Sequence, residues 1–300
     1  MNRVVRHPLR AACAAACLAA ASGAAVAAAP LYSALLHRGA PPVGERMIVV
    51  YERLLFAKGA VPGARVPTDA GIDAAAANAA AQRRAAEERG QGVAPVVALV
   101  VERWPTWPFV PLEQHLASVA DYADVARRFA SASGEKVCLN GVFPGGGIST
   151  VTRSLREEPL REEWEAVARA SWEVLDGAVD ALCPSLYTYY DGEGEQREFQ
   201  ISQWQGFARR TLEVGRDIAP ELPIYPFVWP RFHGGGGLAG EPFVPPEYWR
   251  AELETLADAA DGVVLWGGYD PDARAQRPWD ESAPWWEITR DVFGDQLASE

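Results

Sequence analysis

The sequence predicts an α/β fold, a TIM-like (β/α) barrel, including the distorted form with fewer than eight strands. Short apolar runs alternate with helical segments at a spacing of about 40 residues, which indicates βαβ units and a parallel sheet. Polar and aromatic residues follow nearly every run, which favours a closed barrel over an open sheet with a single crevice. A length of 300 residues suits one such barrel.

Six buried strands are predicted from short apolar runs, several of them rich in β-branched residues. They cover residues 47–51, 96–101, 136–143, 179–186, 222–228 and 262–265. One more strand can be hidden in a weakly patterned segment. Residues 31–45, which contain Gly39 and two prolines, are interpreted as an irregular lead-in.

Six helices are predicted from helix-forming composition and from apolar residues at helical spacing. They cover residues 69–89, 112–132, 157–175, 196–219, 246–260 and 285–293. Thr68 or Asp69 is expected to cap the first of them.

The first 29 residues are predicted to be a signal peptide. Arg3, Arg6 and Arg10 precede an Ala-rich stretch over 11–29, and small residues at 25–29 suit cleavage. A membrane anchor is the alternative, which weakly apolar Ala disfavours. We therefore expect a secreted or periplasmic protein, free of the membrane after cleavage, with one catalytic domain over residues 30–300.

Two cysteines, Cys138 and Cys183, follow the predicted signal peptide. Both lie in predicted core strands, so two buried thiols are favoured over a disulfide, although export would permit one.

Charge and motif content exclude several functions. A net charge of −12 argues against nucleic-acid binding, because phosphate recognition needs a basic surface. It also favours a neutral or amino-sugar glycan over a polyanion, unless Arg103 and Arg231 make a cleft locally positive. The sequence contains no HxH, HExxH or G-x-S-x-G motif, and we expect neither a metal site nor a cofactor.

Glu102 is the predicted catalytic residue. It follows the unbroken apolar run 96–101, where a barrel places its active site, and it precedes Trp104 and Trp107. Two indole rings beside the carboxyl would partly exclude water, which favours the protonated form and donation to a leaving oxygen. The alternative is an ordinary surface carboxylate after a strand.

Further polar and aromatic residues at strand ends are candidates for binding a substrate. Aromatic rings cover the apolar faces of sugars, and polar groups bind their hydroxyls. Each aromatic alone is more often a core residue, but so many after strands favour a cleft. The candidates are Glu52, Trp104, Asn140, Tyr187, Tyr189, Trp229, Arg231, Trp266 and Asp270.

Three segments resemble motifs of the hyaluronidase family of glycoside hydrolases. Val101-Glu-Arg-Trp104 resembles the D-x-E-x-W segment of that family, and Pro184-Ser-Leu-Tyr187 resembles its P-S-x-Y segment. Residues 260–267 resemble its G-x-V-L-W strand. All three occur in the family's order and at predicted strand ends, and together they span roughly residues 96–269.

The resemblance implies a distorted barrel in which Glu102 protonates the glycosidic oxygen, with Tyr187 and Trp266 at the sugar site. In the family the substrate's 2-acetamido group is the nucleophile, an exception to the two-carboxylate scheme. The family Asp that holds this group lies two residues before the Glu, where this chain has Val100. Either Glu52 or Asp270 replaces that carboxylate, or the reaction differs, or the protein binds without cleaving.

The sequence thus predicts a secreted, monomeric glycoside hydrolase that acts on an oligosaccharide or polysaccharide. A glycan-binding protein that has lost catalysis is the competing hypothesis, which Val100 favours, and a purely structural barrel is the third. A carboxyl oxygen within about 5–10 Å of the Glu102 carboxyl would favour an enzyme.

Overall fold

The structure is a computed structural model that describes residues 29–56, 65–145, 148–234, 242–270 and 273–297. Apart from Ala29, the predicted signal peptide lies outside the described residues. Within the ranges above, no helix is both long enough and apolar enough to cross a membrane.

Six parallel strands form one sheet in the order β4-β3-β2-β1-β6-β5. Their bounds are β1 Leu31–Leu35, β2 Glu45–Tyr51, β3 Val93–Val100, β4 Val137–Leu139, β5 Phe227–Val228 and β6 Val263–Gly267. In the register of β2 and β3, Tyr51 pairs with Val100, so both strands end at the same level.

The segment 181–187 closes this sheet into a barrel. Asn140, just after β4, forms a parallel bridge with Cys183, and Ser185 forms another with Phe227 of β5. The amide of Gly141 donates to the Cys183 carbonyl at 2.9 Å, and the amide of Leu186 donates to the Phe227 carbonyl at 2.9 Å. The predicted strand 179–186 is therefore present as an irregular seventh strand, and the predicted distorted barrel is confirmed.

The six predicted helices are all present, with ends that differ by a few residues. They are α2 Asp69–Glu87, α3 Leu112–Ser133, α5 Glu158–Leu175, α6 Glu195–Ile218, α7 Pro246–Ala259 and α8 Pro284–Leu297. The Thr68 side chain caps α2 by accepting from the Gly71 amide at 3.2 Å. The short helices α1 Glu52–Leu55 and α4 Ile148–Ser154 and the hairpin of β7 Tyr269–Asp270 with β8 Ala275–Gln276 were not predicted.

The interpretation of residues 31–45 as an irregular lead-in is wrong for its first part. Leu31–Leu35 form β1, a central strand between β2 and β6, and all five residues are buried. The sequence Leu-Tyr-Ser-Ala-Leu contains no β-branched residue, and its apolar and polar residues do not alternate. Neither of the usual sequence signals of a strand is therefore present.

Two apolar clusters stabilise the barrel. The larger one fills the space between the strands and the surrounding helices, and the smaller one fills the barrel interior with side chains such as Met47, Ala98, Phe227 and Val264. Burial of apolar surface on both faces of the strands explains why they are nearly continuous apolar runs.

Cys138 and Cys183 form a disulfide inside the barrel, with their Cα atoms 5.9 Å apart. The expectation of two free thiols is therefore wrong. The closing segment, which carries Cys183, lies beside β4, which carries Cys138. Both cysteine side chains lie in the barrel interior. Because the two residues are 45 positions apart, only the barrel closure brings them together.

Candidate active site

A cavity of about 420 Å³ opens at the carboxyl ends of the barrel strands. This is the edge at which barrels of parallel strands hold their sites, and the volume is that of a small-ligand pocket. Most of its lining side chains are aromatic or carry a polar group. They are Leu36, Tyr51, Glu52, Arg53, Val100, Glu102, Asn140, Tyr187, Phe227, Trp229, His233, Trp266 and Tyr269.

Glu52 and Glu102 lie side by side in this cavity, because β2 and β3 are paired and end at the same level. The amide nitrogen of Glu102 donates to a carboxylate oxygen of Glu52 at 3.0 Å. Because an extended Glu side chain reaches at most about 6 Å from its own amide, the two carboxyl groups lie within roughly 9 Å of each other. This upper limit is compatible with the separation of about 5–10 Å found in paired glycosidase carboxylates.

The two carboxylates differ in how they are held. The Arg103 guanidinium lies 3.6 Å from the second oxygen of Glu52 and stacks on the Phe56 ring at 3.7 Å. Glu52 is therefore fixed by an amide and a cation. The Glu102 carboxylate is exposed, and within the described part of the chain it makes no hydrogen bond or ion pair, so it is available to a ligand.

Trp104 and Trp107 do not enclose Glu102, which corrects the expected desolvation. Both indoles are buried away from the cavity. Trp104 donates to the Arg65 carbonyl at 3.1 Å, and its ring packs edge-on against Tyr122 at 4.8 Å. After Arg103 the chain turns back toward the helices, so these apolar rings fill the outer core. Trp104 is accordingly not placed to bind a substrate in this cavity.

Four aromatic side chains form one wall of the cavity. Trp266 lies 5.0 Å from Trp229 and 5.6 Å from Tyr187, between ring centroids, and Tyr187 stacks on His233 at 5.8 Å. The Trp266 indole donates to the Tyr51 hydroxyl at 2.9 Å, which fixes its orientation. Trp266 remains partly exposed and offers a flat apolar surface to a ligand.

The Tyr51 and Tyr187 phenols in the cavity wall stay protonated at neutral pH, because the pKa of each is raised. Burial raises the pKa of Tyr187, and the nearby Tyr51 phenol and Glu102 carboxylate raise it further. Burial likewise raises the pKa of Tyr51, which the hydrogen bond from Trp266 partly offsets. Neutral phenols can both donate and accept hydrogen bonds, as recognition of hydroxyl groups requires.

Asn140, which follows β4, supplies an unused donor. Its side-chain nitrogen is buried, yet it has no hydrogen-bond partner among the described residues. A buried donor of this kind normally has a hydrogen-bond acceptor. An oxygen of a ligand in the cavity would accept the missing hydrogen bond from Asn140.

Gly267, at the end of β6, lets the aromatic wall pack closely. Its φ is +143°, and a Cβ at this position would lie 2.9 Å from Cδ1 of Trp229. A larger residue would therefore displace Trp229 and be strained itself.

Besides Trp104, three further predicted site residues do not line the cavity. Tyr189 lies just outside it, with its ring 4.7 Å from His233. The Arg231 guanidinium stacks on Phe243 at 3.8 Å. Asp270 accepts from the Ala273 amide at 2.9 Å and lies 3.4 Å from the Arg277 guanidinium. The Asp270 carboxylate therefore stabilises the turn that follows it. Of the two candidate carboxylates, Glu52 is the one that lies beside Glu102.

The structure adds lining residues that sequence reasoning missed, among them Tyr51 and Leu36. Tyr51 was assigned to the end of a strand and was not considered for the site, although its position next to Glu52 was a usable signal. Leu36 could not be found because β1 was not recognised. Among the described residues, no group of three or more His, Cys, Asp or Glu side chains is placed to hold a metal ion.

Comparison with known proteins finds no matching protein-family profile and no matching curated protein. Solved structures that resemble the chain include bee venom hyaluronidase in complex with a hyaluronic acid tetramer, at 12% identity and a TM-score of 0.44, covering 84% of this chain and 85% of that one. A second structure of bee venom hyaluronidase gives 14% identity and a TM-score of 0.46, with 85% and 86% covered. A beta-glycosidase gives 13% identity and a TM-score of 0.43, with 84% and 69% covered. These likenesses are too distant to assign a function, which depends on the residues of this chain.

Proposed function

We propose that this protein is a glycoside hydrolase of hyaluronidase-like type, with Glu102 as the general acid. The observation that carries the proposal is the pair of Glu52 and Glu102 in a cavity lined by aromatic rings, with the backbone amide of Glu102 donating to the Glu52 carboxylate at 3.0 Å. Two carboxyl groups in one cavity, beside flat apolar surfaces that suit a sugar ring, support the cleavage of a glycosidic bond.

In this mechanism a sugar ring lies against Trp266 and Tyr187 with its glycosidic oxygen toward Glu102. Glu102 donates its proton to that oxygen as the bond to the anomeric carbon breaks. Positive charge then develops on the sugar ring, and the Glu52 carboxylate, which the Glu102 amide holds in place, stabilises it. A water molecule attacks the anomeric carbon and gives a proton to the Glu102 carboxylate, which completes the hydrolysis and restores the acid. Glu52 thereby supplies the negative charge that Val100 cannot supply.

The substrate class that fits best is a neutral or amino-sugar glycan. Among the described lining residues, the two carboxyl groups of Glu52 and Glu102 outnumber the one guanidinium, that of Arg53. Arg231, which might have attracted a polyanion, lies outside the cavity against Phe243. The unpaired Asn140 amide can donate to an acceptor such as an acetamido or hydroxyl oxygen.

We also propose that the protein is exported. The Arg-flanked, Ala-rich N-terminus supports this, and so does the Cys138–Cys183 disulfide, because disulfides persist in oxidising compartments. Mass spectrometry of the mature protein from its native host is expected to show an N-terminus within residues 28–30. An intact Met1 on protein recovered from the cytoplasm would contradict export.

A secreted glycan-binding protein is the second candidate, and Val100 is the observation that favours it. The same cavity would then hold a glycan without cleaving it. The wall of Trp266 and Tyr187 serves both functions equally. Only turnover distinguishes them.

The test is a hydrolysis screen against a panel of neutral, amino-sugar and anionic glycans. Wild type is compared with Glu102→Gln and with Glu113→Gln, a matched change at an exposed carboxylate outside the cavity. The proposal expects products from wild type and Glu113→Gln but not from Glu102→Gln. Binding without products in wild type would instead support the glycan-binding protein.

A further inference from the structure

A second cavity, of about 370 Å³, lies beside the candidate active site. It is formed by α4 and the turn after it, by the segment that follows the closing strand, and by α6. Its lining residues are Thr152, Arg153, Arg156, Glu157, Tyr190, Phe199, Gln200 and Gln203. Tyr190 and Phe199 are 42% and 51% exposed, so both rings are accessible to a ligand.

We propose that this second cavity binds a further sugar ring of the same glycan chain that occupies the active site. The inference rests on the proposed glycosidase function and extends it. The protein would then act on chains long enough to reach both cavities, in preference to single sugars or short glycosides.

The two cavities adjoin along one short segment of chain. Tyr187 lines the first and Tyr190 the second, and three residues span at most about 10–11 Å even when fully extended. Tyr189 lies between them, with its ring 4.7 Å from His233 of the first cavity and 6.3 Å from Tyr190 of the second. His233, Tyr189 and Tyr190 therefore form a row of rings that leads from one cavity into the other.

The side chains of the second cavity suit a sugar ring. Phe199 offers an exposed aromatic face, with the Arg156 guanidinium 6.0 Å from its centroid. Arg156 also donates to the Gln203 side-chain oxygen at 2.7 Å, which holds both planar groups in place. Flat apolar surface beside fixed planar donors and acceptors matches the apolar faces and equatorial hydroxyls of a sugar.

The charges of the second cavity are nearly balanced. Arg153 makes two hydrogen bonds to the Glu157 carboxylate, at 2.8 and 3.0 Å, so its charge is matched within the cavity. Arg156 contributes the remaining cation. The cavity therefore carries a single net positive charge, and the comparison of neutral with anionic chains below tests which of them it binds.

The experiment measures binding of short and long chitin oligosaccharides, and of a hyaluronan series as the anionic comparison, by titration calorimetry. Every protein carries Glu102→Gln so that the probes are not hydrolysed. Phe199→Ala and Tyr190→Ala are compared with Phe109→Ala, which removes a ring that is 87% exposed in a different cavity. Phe199→Trp is included as the conservative replacement.

The inference expects Phe199→Ala and Tyr190→Ala to weaken binding of long oligosaccharides about five- to tenfold, with short ones unchanged. Phe199→Trp is expected to retain the affinity for long chains, and Phe109→Ala to behave as the parent protein. Equal affinities of parent and Phe199→Ala for long chains would overturn the inference while leaving the proposed function intact. Failure of the parent protein to bind any oligosaccharide of either series would instead overturn the proposed function, and this inference with it.

Discussion

The backbone amide of Glu102 donates a hydrogen bond to the Glu52 carboxylate at 3.0 Å. The contact joins the ends of two adjacent barrel strands, and it places two carboxylates in one cavity although position 100 is a valine. The arrangement explains how a chain without an acidic residue at position 100 retains a carboxylate pair. Under the proposed function, Glu52 is expected to be as important to catalysis as Glu102.

Glu52→Gln is expected to lower kcat by at least ~10²-fold, with a much smaller change in KM. Its carboxylate stabilises charge that develops only in the transition state, so its loss affects turnover more than substrate binding. Gln still offers an oxygen to the Glu102 amide, which preserves the local geometry. Steady-state kinetics on a glycan hydrolysed by wild type, with Glu113→Gln as the control, would refute this role if Glu52→Gln turned over normally.

Trp266→Ala is expected to weaken glycan binding about tenfold and to leave the fold intact, because the partly exposed indole provides the platform for a sugar ring. Trp266→Phe should retain part of the affinity, since it keeps a ring and loses the hydrogen bond to Tyr51. Calorimetry and circular dichroism measure the two effects. Unchanged affinity together with a lowered melting temperature would identify Trp266 as a core residue.

Reduction of the Cys138–Cys183 disulfide is expected to lower the free energy of unfolding by about 2–4 kcal/mol, because the bond closes a long loop in the unfolded chain. Urea denaturation with and without dithiothreitol measures the difference. The double variant Cys138→Ala, Cys183→Ala should show no effect of the reductant. If wild type is equally insensitive, the thiols are not paired.

Glu252 is expected to make stability depend on pH. Burial raises the pKa of its carboxyl well above the ordinary value, and the hydrogen bond from Thr188 opposes this only in part. Between the unfolded value of about 4.3 and the raised folded value, the folded protein binds more protons than the unfolded chain. The free energy of unfolding contributed by Glu252 therefore falls as pH rises through that window.

Glu252→Gln should remove this dependence, because Gln cannot ionise and still accepts from Thr188. Urea unfolding across the pH range measures the difference between wild type and variant. Glu254→Gln, on the exposed face of the same helix, is the matched control. Parallel stability curves for wild type and Glu252→Gln would show that Glu252 does not titrate in this window.

Much of the fold was predictable because a strand that is buried on both faces has a nearly unbroken run of apolar residues in the sequence. The runs 47–51 and 96–101 are nearly unbroken in apolar residues, and the helices between strands carry apolar residues on one face. The strand β1 escaped prediction because Leu31–Leu35 owe their strand conformation to neighbours on both sides rather than to intrinsic preference.

The site was predictable to the extent that it depends on strand ends. Glu52, Glu102, Asn140, Tyr187, Trp229 and Trp266 all line one cavity because parallel strands end at one edge of the barrel. The direction in which a side chain points after a strand depends on the path of the loop. Trp104 and Arg231 turn away, toward Tyr122 and Phe243 respectively, and no local pattern shows this.

The effect of Glu102→Gln on substrates with different leaving groups tests the central claim most directly. Turnover of a natural glycan should fall at least ~10²-fold, because its leaving oxygen needs the proton that Glu102 donates. The loss should be much smaller for a nitrophenyl glycoside of the same sugar, whose leaving group departs with little protonation. Wild-type turnover of the natural glycan by Glu102→Gln, or an equal loss on both substrates, would contradict the assignment of Glu102 as the general acid.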